Sequence, residues 1–242
     1  MAPGTLYLVP TGLGGEALPL LPPATLEAVM RCERFVAENP KTARAFLKAI
    51  GYPRPLQGLP IDTLDEHTPA AALDRLLAPI VAGADCALLS EAGCPAVADP
   101  GAGLVRKAHA AAITVKPLVG PSALLLAIMA SGLNGQRFAF HGYLPVERAA
   151  RDRRLKELER ESERHGAAQA FIETPYRNDA MFGAVLEACR ADTLLCVAAD
   201  LTLSSELVRT RPIADWKRGK PALNRRPAVF LLYREIRSGR TP

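Results

Sequence analysis

Short hydrophobic runs in the first half of the chain are separated by stretches with helical periodicity. Residues 5–9 (TLYLV), 86–90 (CALLS) and 113–118 (ITVKPL) have the length of strands, and we expect the last two to be buried on both faces. Helices are predicted after these two runs, over 102–111 and 122–131. The alternation of strand, loop and helix predicts a parallel sheet covered by helices.

Three more helices are predicted in this half of the chain. Asn39 is a favourable N-cap, Pro40 suits the first helical position, and Gly51 ends the helix that they begin. The other two predicted helices cover 25–35 and 68–82. Thr68, followed by Pro69, provides the start signal for the latter.

The pattern of strands and helices restarts after Gly120. Strands are predicted over 138–141, 168–173, 194–199 and 228–234, and helices over 146–165 and 178–190. Two α/β units fit these two series better than a single open sheet does. The predicted fold class is therefore α/β with two domains, residues 1–119 and 120–236, followed by a loose tail at 237–242.

The composition predicts an ordered protein and leaves its partner open. Of 242 residues, 49% are hydrophobic and 23% are charged, which is enough for two small cores or a single large one. The net charge of +5 favours an anionic partner such as RNA, although a mildly basic protein without such a partner has the same balance. The basic stretch Arg148 to Lys156 is a candidate RNA contact. The alternative is an ordinary solvated helix, because positive and negative residues are mixed along the predicted helix 146–165.

Cysteine usage and hydropathy exclude several classes of protein. Five cysteines at irregular spacing, without a CxxC pair, argue against a disulfide framework and a zinc site. The most apolar run, 118–130, contains Gly120 and Pro121 and is too short to span a bilayer. Prolines at positions 3 and 10 interrupt any signal peptide. We therefore expect a cytoplasmic protein without a membrane span or a bound metal.

Loop 10–17 (PTGLGGEA) is the first of three candidate ligand-binding loops. It contains the GxGxxA pattern of a dinucleotide-binding turn after a strand. That pattern requires a helix to begin at once, whereas Pro19, Pro22 and Pro23 prevent one. A flexible loop over a site is therefore the favoured interpretation.

The other two candidate loops follow predicted buried strands. Loop 90–101 (SEAGCPAVADPG) is either a long connecting turn or a ligand loop, in which glycines permit close approach and prolines stiffen the path. In loop 119–123 (VGPSA), Ser122 either caps the next helix or leaves its N–H groups free for an anionic group. We expect these two loops, at the ends of neighbouring strands, to form a backbone-lined pocket.

Six motifs, in order, resemble a known family. They are LYLVPT (6–11), ALLSEAGCPAVADPG (87–101), VGPSA (119–123), SGL (131–133), FAFHGYLP (138–145) and FIETPYR (171–177). Together they resemble the tetrapyrrole methylases, in particular their ribosomal RNA small subunit methyltransferase I branch. The resemblance implies a class III methyltransferase fold of two α/β domains, S-adenosylmethionine (SAM) in the cleft between them, and a homodimer. It also implies methylation of the ribose 2′-oxygen of a cytidine in 16S ribosomal RNA.

The resemblance also assigns residues to the cofactor. The matching positions are Pro10, Ser90, Glu91, Ala92, Gly93, Ser122, Ala123 and Tyr176. The chain departs from the family pattern at Glu91, where the family has aspartate, and at residues 12–15 (GLGG), where it has Pro-Ile-Gly-Asn. The cofactor loops are largely kept, whereas positions expected to face the substrate differ more.

A ribose hydroxyl is a weak nucleophile unless its proton is removed during transfer, so a general base is expected. The candidates are Glu173, Glu38 and Asp99, each of which could instead be a cap or a loop hydrogen-bond acceptor. His141 follows an apolar strand and is more typical of a hydrogen-bonded core histidine.

Two alternatives stay open at the level of the sequence. One is a methyltransferase acting on a tetrapyrrole or another small molecule, which the basic stretch Arg148 to Lys156 disfavours. The other is a non-catalytic RNA-binding module with the same fold. Absence of SAM binding in calorimetry would leave only the second alternative.

Overall fold

The computed structural model describes residues 2–235, which divide into two compact units between Ser122 and Ala123. The boundary predicted from the sequence, between residues 119 and 120, falls in the loop just before this division. The predicted tail, residues 237–242, lies outside the described residues. Within residues 2–235, every helix is too short or too polar to cross a membrane.

The first unit is built around a parallel sheet. In chain order its elements are β1 (Thr5–Val9), a 3-10 turn (Leu18–Leu20), α1 (Pro23–Arg31), β2 (Arg34–Ala37), α2 (Pro40–Ala49), β3 (Ile61–Thr63), α3 (Ala72–Val81), β4 (Cys86–Leu89), α4 (Ala102–Ala110) and β5 (Thr114–Pro117). The strands lie in the order β3-β2-β4-β1-β5, and each neighbouring pair is parallel.

Helices cover both faces of this sheet, as the alternation of elements predicts. Val9 packs in a hydrophobic cluster with residues of α1 and α2, whereas Leu6 belongs to a separate cluster with residues of α3 and α4. Side chains at odd and even positions of a strand point to opposite faces, so the two clusters lie on opposite sides. β4 is buried along its whole length, which its continuous apolar sequence predicts.

The predicted helix 25–35 is wrong over its last four residues. The helix ends at Arg31, and Arg34–Ala37 is instead strand β2. This strand pairs with both β3 and β4, and its last three residues are buried. Pairing with two neighbouring strands outweighs local helical preference, which is worth only tenths of a kcal/mol per residue, about 0.7 at most for ordinary residues.

Two further sequence predictions in this unit are wrong. β5 is not buried on both faces: it lies at the edge of the described sheet, and Thr114 and Lys116 are exposed. The predicted helix 68–82 begins only at Ala72. The Thr68 hydroxyl donates to Asp65 Oδ1 (2.8 Å) and so closes a turn before the helix.

The second unit contains a mixed sheet. In chain order its elements are α5 (Ala123–Ser131), β6 (Phe138–Tyr143), α6 (Arg148–His165), β7 (Ala168–Ile172), a 3-10 turn (Pro175–Arg177), α7 (Asn178–Ala188), β8 (Leu194–Ala199), β9 (Leu207–Pro212), α8 (Ile213–Trp216) and β10 (Ala228–Tyr233). The strand order is β6-β7-β10-β8-β9; β6 and β7 are parallel and the other neighbours are antiparallel. The predicted α/β fold class is confirmed.

Gly4, just before β1, supports a prediction about stability. A Cβ at Gly4 would lie 2.1 Å from the carbonyl oxygen of Ala84, and a main-chain atom cannot move aside as a flexible side chain can. We expect Gly4→Ala to lower the free energy of unfolding by about 3 kcal/mol, measured by urea denaturation.

Gly103→Ala, on α4, is the matched control. Its Cβ would meet only Leu73 Cδ1 at 3.4 Å, and helix propensity favours alanine by up to about 1 kcal/mol. If Gly4→Ala and Gly103→Ala changed the free energy of unfolding equally, the close contact between Gly4 and Ala84 would be contradicted.

Candidate active site

The loops that follow β1, β4 and β5 meet at one edge of the first unit's sheet. The three strands are parallel, so their carboxyl ends share the edge at which open α/β sheets bind ligands. Contrary to expectation, β4 and β5 are not neighbours, because β1 lies between them and pairs with both. The later two loops still touch, since Cys94 Sγ lies 3.5 Å from the carbonyl oxygen of Pro121. Three loops, rather than two, therefore form the candidate site.

Hydrogen bonds hold the turn after β4 to the end of β1. The main-chain N–H of Thr11 donates to the carbonyl oxygen of Gly93 (2.9 Å). The Thr11 hydroxyl donates to the main-chain carbonyl oxygen of Ser90 (3.2 Å). The buried Ser90 hydroxyl donates to the Gly93 carbonyl within its own turn. Ser90 and Thr11 thus shape the turn with their side chains, and the exposed residues of the turn are Glu91 and Ala92.

Two glycines allow the loops to approach one another closely. Gly93 has φ +74°, in the left-handed region that favours glycine, and a Cβ there would lie 3.2 Å from Leu13 Cδ2. A Cβ at Gly120 would lie 2.5 Å from Pro10 Cβ, far inside the normal contact distance between carbon atoms. The site is therefore lined by main chain at both positions.

The glycine-rich loop after β1 does not continue into a helix. Residues 13–15 form bends, the 3-10 turn Leu18–Leu20 follows, and α1 begins only at Pro23. A dinucleotide-binding turn requires a helix N-terminus directly beside its glycines. The geometry therefore disfavours a dinucleotide site, as the prolines predict.

Three carboxylates gather beside these loops: Glu38 after β2, Glu91 in the turn after β4, and Asp99 further along the same loop. Burial, followed by the charges of Glu38 and Glu91, raises the pKa of Asp99 to about 7. Burial and then Glu91 also raise the pKa of Glu38. Glu91 Oε1 accepts a hydrogen bond from the Thr42 hydroxyl (2.6 Å). The site therefore combines negative charge with a carboxyl group that exchanges its proton near neutral pH.

Glu173, the remaining candidate base, lies in the second unit just after β7 and is buried. Its Oε1 accepts from the N–H of Thr174 (2.8 Å), and its Oε2 lies 2.9 Å from Arg177 Nη2. The Oε2 contact is an ion pair without hydrogen-bond alignment. Glu173 is buried whereas Asp99 is partly exposed, so Glu173 is less accessible to a substrate hydroxyl than Asp99.

The structure brings most predicted site residues together in the first unit. That group comprises Pro10, Ser90, Glu91, Ala92, Gly93 and Ser122, with Glu38 and Asp99. Ser122 hydrogen-bonds Cys94, and this bond opposes the rise in the pKa of the Cys94 thiol that burial causes. Ala123, at the start of α5, and the exposed Tyr176 belong to the second unit.

The sequence analysis missed Thr11 and Thr42, and it predicted correctly that His141 is hydrogen-bonded, although this histidine is only partly buried. Thr11 belongs to the LYLVPT motif and could have been found there. No local signal marks Thr42, which pairing of β2 with β4 brings to Glu91. His141 Nε2 lies 2.7 Å from Gln169 Oε1, and its Nδ1 lies 3.1 Å from Arg154 Nη2. Both ring nitrogens therefore have partners within the fold.

Comparisons with known proteins agree with this geometry. The model of the family Tetrapyrrole (Corrin/Porphyrin) Methylases matches residues 5–216. The ribosomal RNA small subunit methyltransferase I of Xylella fastidiosa is 38% identical over 159 residues, 66% of this chain and 56% of that protein. The Pseudomonas aeruginosa protein of the same name is 31% identical over 219 residues, 89% of this chain and 74% of that protein. The chain thus spans between about half and three quarters of these relatives.

A solved structure supports the fold. The crystal structure of the methyltransferase CobJ matches 99% of this chain and 97% of its own, with a TM-score of 0.64 and 19% sequence identity. The family match covers residues 5–216, and the fold shared with CobJ agrees with it. The loops at the carboxyl edge of the parallel sheet lie within the matched residues. The chain belongs to the tetrapyrrole (corrin/porphyrin) methylases, a family of SAM-dependent methyltransferases.

Proposed function

We propose that this protein uses SAM to methylate ribosomal RNA of the small subunit, at the ribose 2′-oxygen of a cytidine. The observation that carries the proposal is the 31% identity over 89% of this chain to a protein named ribosomal RNA small subunit methyltransferase I. The net charge of +5 suits an RNA substrate, because phosphate neutralisation drives much of the affinity for nucleic acid.

The residues of the first unit fit SAM. Its sulfonium and ammonium groups are cationic, and Glu38, Glu91 and Asp99 supply negative charge beside the loops. The loops approach one another closely at Gly93 and Gly120, and main-chain donors and acceptors of such loops suit the polar edges of a nucleoside. We propose that Pro10, Ser90, Glu91, Ala92, Gly93 and Ser122 hold SAM, which would supply a methyl group activated by its positively charged sulfur. The roles of Ala123 and Tyr176 stay predictions from the resemblance.

We propose that Asp99 accepts the proton of the substrate hydroxyl. A general base works best with a pKa near the operating pH, and the pKa of Asp99 is about 7. Glu38 and Glu91 contribute by raising this pKa through their charges. The hydrogen-bonded loops hold their groups in fixed positions, which favours transfer by orientation of the reactants.

The proposal is tested by incubating the purified protein with radiolabelled SAM and small ribosomal subunits from cells that lack it. Mass-spectrometric mapping of the RNA should show a 2′-O-methylated cytidine. Label in another nucleoside would retain the RNA substrate and refute the position. SAM binding without transfer to the RNA would favour a small-molecule substrate, and absence of SAM binding would favour a non-catalytic module. The homodimer and the cytoplasmic location stay predictions, and light scattering tests the first.

A further inference from the structure

Ion pairs engage part of the positive charge of α6, the helix that the sequence analysis put forward as an RNA contact. In the basic half of α6, Arg148, Arg151 and Arg154 each lie within 4.0 Å of a carboxylate on α6 or α7. A guanidinium that already has a carboxylate partner gains less from a phosphate. Arg153, Lys156 and Arg160 of α6 are exposed and form no ion pair with another described residue, but glutamates alternate with them along the helix. Unpaired positive charge without acidic residues in between is more favourable for binding phosphate.

The loop that follows α8 provides that charge. Residues 217–226 (KRGKPALNRR), termed here the basic loop, contain five positively charged side chains and no acidic residue. Arg218 and Arg226 pair with Asp215 and Asp200, outside the loop. The remaining three cations are exposed and form no ion pair with any other described residue: Lys217, Lys220 and Arg225.

The basic loop is held in place by its own contacts. Leu223 is fully buried, and its N–H donates to Asp179 Oδ1 (2.8 Å). Arg226 Nε donates to Asp200 Oδ2 (2.7 Å), while the Arg226 carbonyl accepts from Asn178 Nδ2 (2.6 Å). A loop that is already ordered loses less conformational entropy when a ligand binds.

Arg225 connects the basic loop to an exposed aromatic ring. Its N–H donates to the carbonyl oxygen of Pro175 (2.9 Å), and its guanidinium lies 5.9 Å from the ring centroid of Tyr176, which is 75% exposed. Arg225 adopts φ +62°, a left-handed conformation that costs a non-glycine residue about 1 kcal/mol. Such strain is typical of functional positions. A guanidinium beside an exposed ring is a platform on which an unpaired base can stack.

We propose that the basic loop and Tyr176 form the surface through which this protein binds single-stranded RNA. Lys217, Lys220 and Arg225 contact phosphates, and Tyr176 stacks on an unpaired base. This inference rests on the proposed function, because it locates the binding of the RNA substrate. The position near the cofactor that the resemblance implies for Tyr176 stays a separate prediction.

The test compares two triple variants that remove the same charge. K217A/K220A/R225A removes the exposed cations of the basic loop, and R153A/K156A/R160A removes three exposed cations of α6. Binding of a fluorescent single-stranded RNA of about 20 nucleotides is measured by anisotropy across salt concentrations. We expect the loop variant to lose about tenfold or more in affinity and its salt slope to fall by about 2, since each phosphate contact contributes about 0.7. The α6 variant should change affinity by less than about twofold, because glutamates alternate with these cations along the helix and oppose phosphate binding there.

Stacking is tested separately at Tyr176. Tyr176→Phe should keep RNA affinity, whereas Tyr176→Ala should lose about 5-fold to 100-fold, as removal of an aromatic platform typically does. Equal losses in Phe and Ala variants would overturn the stacking role. If the wild type binds RNA and the loop variant binds it equally well, the inference is overturned. The same holds if the α6 variant loses as much affinity as the loop variant. Neither result would affect the proposed function. A wild-type protein that binds SAM but not RNA would overturn the proposed function as well.

Discussion

Asp99→Asn is expected to lower the rate constant for methyl transfer by about 10²-fold to 10⁴-fold, the usual contribution of a general base. The base acts in its ionised form, and the pKa of Asp99 is about 7. Wild-type activity should therefore rise with pH through about 7 and level off above it, and Asp99→Asn should lose this dependence. Single-turnover kinetics between pH 5 and 9 measure both effects, and calorimetry should show that SAM still binds.

Two variants separate a catalytic effect from a general effect of charge. Glu27→Gln, at an exposed position on α1, removes one carboxylate without touching the site and should retain wild-type rates. Glu173→Gln should lower the rate of methyl transfer less than Asp99→Asn does. Glu173 is buried, accepts a hydrogen bond from the N–H of Thr174 and forms an ion pair with Arg177. If Glu173→Gln abolished transfer while Asp99→Asn retained it, the base would lie in the second unit.

The same Asp99→Asn substitution should stabilise the fold at alkaline pH. A carboxyl whose pKa is raised on folding, from 3.8 to about 7, destabilises the native state once it is ionised. The penalty grows as pH rises from about 4 to 7 and is constant above that range. Asp99→Asn should therefore unfold at higher urea concentration than the wild type at pH 8, with the difference shrinking below pH 7. Opposite effects on stability and activity are typical of functional residues.

Gly120→Val is expected to weaken SAM binding by about 5-fold to 100-fold. A Cβ at Gly120 would lie 2.5 Å from Pro10 Cβ and 3.2 Å from Leu21 Cδ2, so the loops after β1 and β5 must separate. Overpacking a close contact costs about 1–3 kcal/mol, and each 1.4 kcal/mol corresponds to about tenfold in affinity. Isothermal titration calorimetry with SAM measures the loss directly.

Gly135→Val is the matched control for this prediction. Gly135 lies in the second unit, and a Cβ there would have no heavy atom within 4 Å. We expect wild-type SAM affinity in this variant and a melting temperature close to that of the wild type. Unchanged SAM affinity in a folded Gly120→Val protein would show that the close approach of the two loops does not contribute to the cofactor site.

Local sequence signals predicted the elements whose formation depends on nearby residues. Strands β1 and β8 have the predicted bounds, and Asn39 caps α2 through a hydrogen bond from the N–H of Lys41 (2.9 Å). Gly166 ends α6 in a left-handed conformation, with φ +59°, directly after the predicted last residue. Apolar runs, caps and terminal glycines act over a few residues, so they can be recognised without knowledge of the rest of the fold.

Short, contiguous patterns of residues were enough to predict the α/β class, three candidate ligand-binding loops and the family resemblance. Three features became evident only in the folded structure: β2 is a strand, β1 separates β4 from β5, and Glu38, Glu91 and Asp99 share one environment. The order of strands in a sheet depends on contacts between distant segments, which local periodicity does not encode. The proton affinity of Asp99 depends on the same long-range arrangement, since burial and neighbouring charges exist only once the chain has folded.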